Sequence, residues 1–154
     1  MRTPFVPLVP RYGSTLDLAP GMDFYHQHRF RDALRYFERL REKQRLSTVV
    51  FSAVMGYVTL GLGLLFVGSA LKETYDPLFQ AIAYCQFQLG NDAEALRLFS
   101  KIYDKTAVDL AVMGISFRAI GKKSQAQFVW QQAADQDPRV GDWLKAAVGR
   151  IIPG

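Results

Sequence analysis

The sequence has few of the residues that disulfide and metal chemistry require. Its 154 residues include one cysteine, Cys85, and two histidines, His26 and His28. A single cysteine cannot form an intramolecular disulfide. Histidines two positions apart point to different faces of a helix and cannot share a metal ion. Cys85 falls in a helical apolar pattern, which is typical of a buried thiol, so we expect neither a disulfide nor a metal site.

Sequence motifs of catalysis and nucleotide binding are missing as well. The glycine-spaced run GLGLLFVG at 61–68 has neither the lysine nor the following Ser or Thr of a phosphate-binding loop. The lone cysteine has no obvious activating partner. We therefore predict that the protein is not an enzyme and uses no cofactor.

Strand patterns and an N-terminal signal peptide are also absent from the sequence. The run MRTPFVPLVPRYG has a proline at every third position from Pro4 to Pro10, where a leader would have a charged and then an apolar region. Proline fixes φ and cannot donate to a helix, so residues 1–13 are predicted to be extended. A helical domain is expected over 14–154, and the location is expected to be cytoplasmic.

Positive charge is concentrated in one stretch of the chain. The formal net charge is +5, and residues 29–45 contain seven basic and three acidic side chains. Because Asp32, Glu38 and Glu42 are interleaved with the basic residues, the pattern favours the solvated face of a helix. A nucleic-acid patch is the alternative, but no RNA-binding motif or zinc-finger spacing accompanies it. We expect no nucleic-acid partner.

The sequence does contain a recurring helix-turn-helix pattern. A small residue is followed seven positions later by a turn residue, then five later by alanine and four later by an aromatic residue. Small residues allow two helices to approach closely, and glycine adopts the positive φ that such turns need. The copies are Gly114–Gly121–Ala126–Trp130, Ala83–Gly90–Ala95–Phe99, a partial one at Gly56–Gly63–Gly68, and a looser one at Gly21–His28–Ala33–Phe37.

Helix boundaries follow from local capping residues. Asp76-Pro77 and Asp137-Pro138 each predict the start of a helix, with Asp as N-cap and Pro at the first helical position. Thr106 and Asp109 form a capping pair at the start of a further helix, which lies in sequence between those two. The last helix, predicted from Arg139 to about Ile152, has one charged and one apolar face, which suits a capping helix.

The longest uncharged stretch, Val49–Leu71, has 23 residues and permits two interpretations. That length can span a bilayer, and the preceding basic cluster would orient it. However, Gly56, Gly63 and Gly68 lie in the register of the repeat, and a helix pair buried between flanking repeats would be apolar nearly all round. We favour the buried hairpin. The alternative is a scaffold or membrane-tethered adaptor with residues 49–71 in the bilayer.

These units resemble the tetratricopeptide repeat, which has a Gly, an aromatic three later, then Ala-x-x-x-Phe and a terminal Pro. The resemblance covers residues 14–138. It implies an all-α, right-handed solenoid of about four helix-turn-helix repeats with a C-terminal capping helix. The fourth unit matches best, through Gly114, Phe117, Gly121, Ala126, Trp130, Ala133 and Pro138.

A narrower resemblance lies in the run from Gly90 to Val140. Ala95-Leu96, Phe117-Arg118, Gly121 and the tail 136–140 are similar to the tetratricopeptide-like chaperones of bacterial type III secretion systems. The run is most similar to the co-chaperone of the needle subunit. The N-terminal part is longer than expected for that co-chaperone, so a class II translocator chaperone remains the alternative. This resemblance implies a cytoplasmic chaperone of a needle or translocator subunit, acting alone or with a second small co-chaperone.

In the tetratricopeptide repeat, the first helix of each pair lines a concave face. An apolar and aromatic wall there suits an amphipathic helix or an apolar segment of a partner. The alternative is that these residues pack between neighbouring helices. The substrate-binding residues that the resemblance implies are Met22, Tyr25, Ala53, Tyr57, Leu60, Gln80, Tyr84, Phe87, Ala111, Ile115 and Arg118.

Overall fold

The structure, a computed structural model, describes the backbone of residues 5–7, 17–58 and 63–149 and the side chains of 5–7, 17–45 and 76–147. Within the described backbone there are seven α-helices and no strand, so the predicted all-α class is confirmed. The helices are α1 (Ala19–His26), α2 (Phe30–Val58), α3 (Gly63–Gln88), α4 (Asp92–Phe99), α5 (Ala107–Ala119), α6 (Lys123–Gln136) and α7 (Pro138–Gly149).

The helices pack mainly on their neighbours in sequence. Every consecutive pair from α1–α2 to α6–α7 is in contact, and α5 also touches α3 and α7. Short connections between helices favour such antiparallel packing, because a few turn residues bring the next helix back along the previous one. The order of packing therefore follows the order of the chain.

Three hairpin turns have the same backbone geometry. His28, Gly90 and Gly121, the predicted turn residues, have φ of 59°, 81° and 83°. In each turn the next residue donates its N–H to a carbonyl five positions earlier, as in Asn91 to Gln86 at 2.9 Å. This is the Schellman motif, in which a left-handed residue ends the helix. His28 adopts a left-handed conformation that is usually found at glycine, so the first turn has the same geometry as the others although it contains no glycine.

Inside the hairpins, an aromatic ring of the second helix covers a small residue of the first. A Cβ added at Gly21 would overlap the Phe37 ring, and one added at Gly114 would overlap the Trp130 indole. The Trp130 Nε1 also donates to the carbonyl of Ala111 at 3.2 Å. In the α3–α4 hairpin the equivalent residues, Ala83 and Phe99, are fully buried. The predicted small-to-aromatic pattern thus matches the packing of these hairpins.

Local capping predictions are confirmed at two helices and wrong at one. Thr106 and Asp109 form a capping box at α5, and α7 begins at Pro138. The predicted start at Asp76-Pro77 is wrong, since Pro77 lies inside α3. The Asp76 carboxylate accepts from the N–H of Tyr103 at 3.1 Å, so it binds the loop before α5. Tertiary packing around α3 outweighs the local preference of proline for a helix start.

The partial second copy of the repeat does not form a separate helix pair. Its predicted first helix is the end of α2, which runs unbroken from Phe30 to Val58, and α3 begins at its predicted turn residue, Gly63. The described residues therefore contain seven helices, whereas the predicted four helix pairs and one capping helix would give nine. Among the described helices, none has both the length and the apolar content needed to cross a membrane.

We predict that Gly90→Val lowers the free energy of unfolding by about 1–3 kcal/mol, because β-branched residues resist positive φ. No atom lies within 4 Å of the site of an added Cβ, so backbone strain alone causes the loss. Gly90→Asn is the matched control and should lose less, because asparagine tolerates the left-handed region. Urea denaturation measures both variants, and equal stability of Gly90→Val and the parent would contradict the turn.

A second prediction concerns the contact between Gly114 and Trp130. Helix propensity favours alanine over glycine by about 1 kcal/mol. We nevertheless expect Gly114→Ala to be less stable than the parent, because overpacking costs about 1–3 kcal/mol. In a Trp130→Leu background the same change should become stabilising. A double-mutant cycle by urea denaturation measures this coupling, and additive effects would contradict the contact.

Candidate functional site

The predicted binding residues on described side chains come from α1, α3 and α5. Helices α3 and α5 are in contact, and Tyr25 of α1 interacts with Gln88 and Cys85 near the end of α3. The structure thus places α3 beside α5, and the Tyr25 side chain of α1 near Gln88 of α3. Of the remaining predicted residues, Ala53 and Tyr57 lie on α2, but their side chains are outside the described residues, as is all of Leu60.

A buried carboxylate joins α3 to α5. Asp109 is 0% exposed, and its Oδ1 accepts from Gln80 Nε2 at 2.7 Å and from the Tyr84 hydroxyl at 3.0 Å. Its Oδ2 accepts from the N–H of Thr106 at 2.8 Å, which completes the capping box. A carboxylate only accepts hydrogen bonds, and such bonds are strong in a low-dielectric interior. Two predicted groove residues therefore hold the interior of the fold together.

The contact of Asp109 with α3 was not predicted from the sequence. The capping spacing assigned the residue to the start of α5, which is correct, but that spacing involves only one of the two oxygens. The other oxygen binds a helix more than twenty residues earlier, where Gln80 and Tyr84 are one helical turn apart. A polar residue every fourth position on an otherwise apolar helix is the pattern that could have indicated a buried acceptor.

Tyr25 is fully buried against the N-terminal segment. Its hydroxyl donates to the carbonyl of Val6 at 2.8 Å. Burial raises the pKa of Tyr25 above its usual range, the Gln88 hydrogen bond opposes that rise, and Cys85 adds to it. Burial likewise raises the pKa of the Cys85 thiol, which keeps it protonated and unreactive. The prediction of a buried thiol is confirmed.

The predicted binding residues were expected to be exposed, and for most of those with described side chains this is wrong, because they are buried. Helix α3 contacts α2, α4 and α5, and from Asp76 to Cys85 only Phe79 is not buried. A helix that is enclosed on several sides has no free face to present. The buried members, all 5% exposed or less, are Tyr25, Gln80, Tyr84, Phe87 and Ala111.

The phenol ring of Tyr84 illustrates the cause. It packs edge-on against Phe99 of α4, with 5.6 Å between ring centroids, while its hydroxyl reaches Asp109. A large amphipathic ring loses less by filling such an interior site than by lying in water. For these five residues the structure favours the alternative interpretation, packing between helices. Met22, Ile115 and Arg118 are partly exposed, so these three predicted residues can be reached from solvent.

Other large apolar side chains are exposed at positions that are not among the predicted binding residues. Phe128 on α6 is 65% exposed and Tyr103 is 71% exposed, with Ile120 and Phe5 near 40%. Single exposed apolar residues are common on protein surfaces. Among the described side chains, no three His, Cys, Asp or Glu residues are grouped so that they could hold a metal ion.

Compared with protein-family models, with curated proteins and with solved structures, the chain gives no significant match to any of the three.

We predict that Tyr84→Phe costs more stability than Tyr25→Phe. Both changes keep the ring and remove one hydroxyl, so each controls for the other. The Tyr84 hydroxyl bonds a carboxylate, a type of hydrogen bond that contributes about 1.5–3 kcal/mol, and its loss leaves that buried carboxylate with one donor fewer. The Tyr25 hydroxyl bonds neutral partners, the Val6 carbonyl and the Gln88 side chain, and each such bond contributes about 0.5–1.5 kcal/mol. Urea denaturation of the two variants measures the difference. A smaller loss for Tyr84→Phe would mean that Asp109 does not depend on that hydroxyl.

Proposed function

We propose that the protein is a cytoplasmic chaperone of a bacterial type III secretion system. It binds an apolar or amphipathic segment of an export substrate and thereby prevents premature self-assembly. The observation that carries this proposal is the repetition of one hairpin design. The α1–α2, α3–α4 and α5–α6 hairpins each have a small residue, a left-handed turn seven positions later and an aromatic sixteen positions later.

Stacked helix pairs support the finer proposal of a tetratricopeptide-like, right-handed solenoid. In such arrays each unit contacts only its neighbours, and first helices of adjacent units adjoin. The contacts between consecutive helices, together with those of α5 with α3 and α7, agree with that arrangement. Repeats of this kind present continuous surfaces to a partner and need no catalytic group, which agrees with a binding protein.

The proposed contact surface is the solvent-accessible side of α5. Ile115 and Arg118, three positions apart, lie on neighbouring parts of one helix face and are partly exposed. An isoleucine flanked by a guanidinium suits an apolar segment that carries a carboxylate beside it. Binding removes free substrate from the polymerisation equilibrium, so the chaperone acts by mass action.

The test is to mix the purified chain with the needle and translocator subunits encoded in the same genome and to follow their assembly by light scattering. We expect one of the subunits to stay soluble in a stoichiometric complex. Ile115→Asp should weaken that complex by about 1–2 kcal/mol, as the loss of an apolar contact at an interface does. Gln127→Asp, which adds the same charge at an exposed position of α6, is the matched control.

Circular dichroism of each variant is the control that checks whether its helices are intact. If both subunits assemble unhindered in the presence of the folded parent chain, the chaperone proposal is wrong. A scaffold or membrane-tethered adaptor is then the better interpretation, and recovery of the protein only with detergent would identify the tethered form. If Ile115→Asp and Gln127→Asp weaken the complex equally, the substrate does not bind the α5 surface.

A further inference from the structure

Residues 5–7 lie against the α1–α2 hairpin although they belong to no helix. Val6 is 2% exposed, as buried as the core, and its carbonyl accepts from the Tyr25 hydroxyl at 2.8 Å. The Phe5 ring lies 4.7 Å from the His28 ring and 5.7 Å from the Tyr25 ring, between centroids. Pro7 is exposed, so the contact is made by one side chain, one carbonyl and one ring.

The surface beneath this segment consists of Tyr25, His28 and Phe30, here called the aromatic seat. The Tyr25 and Phe30 rings meet edge to face at 5.1 Å, and those of His28 and Phe30 do so at 5.7 Å. The seat spans the end of α1, the turn and the start of α2. The Schellman bond from Arg29 N–H to the Phe24 carbonyl, 2.9 Å, closes that turn without any atom of residues 5–7. The hairpin itself therefore positions the seat.

We propose that the aromatic seat is a binding site for an extended apolar peptide, with residues 5–7 as its intramolecular ligand. Three contacts are of the kind that a bound peptide makes: a buried β-branched side chain, a backbone carbonyl bound by a fixed donor, and an aromatic ring tilted against the rings of the seat. None of these contacts uses charge. The ligand class is thus an extended segment with an aromatic residue followed by a β-branched one.

The tether between ligand and site is short. Nine residues lie between Pro7 and Asp17, the next described residue. Because the segment and the seat belong to one chain, their association is unimolecular, and the segment can occupy a site even of modest intrinsic affinity. A peptide from another molecule must displace it, and its apparent affinity is its intrinsic affinity multiplied by the fraction of time that the seat is free. The inference does not depend on the proposed function, because it concerns only this chain's segment and its seat.

The test uses a fluorescently labelled synthetic peptide of residues 1–10 and the full-length chain, with binding followed by fluorescence anisotropy. In the Val6→Asp chain the intramolecular segment should leave the seat, because an unpaired carboxylate is costly to bury. We expect this chain to bind the peptide at least about tenfold more tightly than the parent does. Pro7→Asp adds the same charge at the neighbouring exposed position and should behave like the parent. A peptide that carries Val6→Asp should not bind either chain.

Two further measurements decide between a ligand and a piece of core. The Val6→Asp chain should keep its helical circular dichroism, and adding Tyr25→Phe to it should weaken peptide binding several-fold. If Val6→Asp unfolds the chain while Pro7→Asp does not, residues 5–7 belong to the core and the proposal fails. It also fails if the folded Val6→Asp chain binds the peptide no better than the parent, or if Tyr25→Phe leaves that binding unchanged.

Discussion

Two of the described hairpins depend on an aromatic ring that fills the place where the facing helix has no side chain. Trp130 occupies the space above Gly114, and Phe37 occupies the space above Gly21. The contact sets the distance between the two helix axes, because a larger residue on either side would force them apart. The contact also requires a tight turn at a fixed position in the sequence. The ring and the small residue face each other only if the chain reverses seven residues after the small residue and nine before the ring.

Between hairpins, the interior is held by polar contacts as well as apolar ones. Asp109 and Asp76 are both buried, and each binds atoms from a distant part of the chain: Gln80 and Tyr84 for the first, the backbone of Tyr103 for the second. Apolar surfaces can slide past one another, whereas a buried carboxylate stabilises only one arrangement of donors. These two residues therefore favour one position of α3 relative to α5 and to the loop that follows α4.

The features predicted correctly from sequence are those that depend on neighbouring residues. The turns at Gly90 and Gly121, the capping box of Thr106 and the start of α7 at Pro138 each follow from contacts within a few positions. His28 could be placed only by counting from Gly21, since its own residue type does not indicate a left-handed turn.

Two of the errors concern what surrounds α3. Pro77 has the local preference of a helix start, yet packing from three sides carries the helix through it. Tyr84 and Phe87 have the spacing of an exposed aromatic wall, yet α3 has no open face at either position. Periodicity shows which residues share a face of a helix, but the number of partners that cover the helix is set by distant segments. The burial of Tyr84 and Phe87 therefore could not be predicted from their spacing.

The continuity of α2 has a consequence for how the molecule opens. At 29 residues it is about 40 Å long, and it packs on α1 and on α3 with no break between the two contacts. In a repeat array with a loop between every pair of helices, an end unit can fray while the next stays folded. Here α1 and α3 pack on one unbroken helix, and no loop separates their two contacts. The stability of the α1–α2 contact and that of the α2–α3 contact are therefore coupled through one helix.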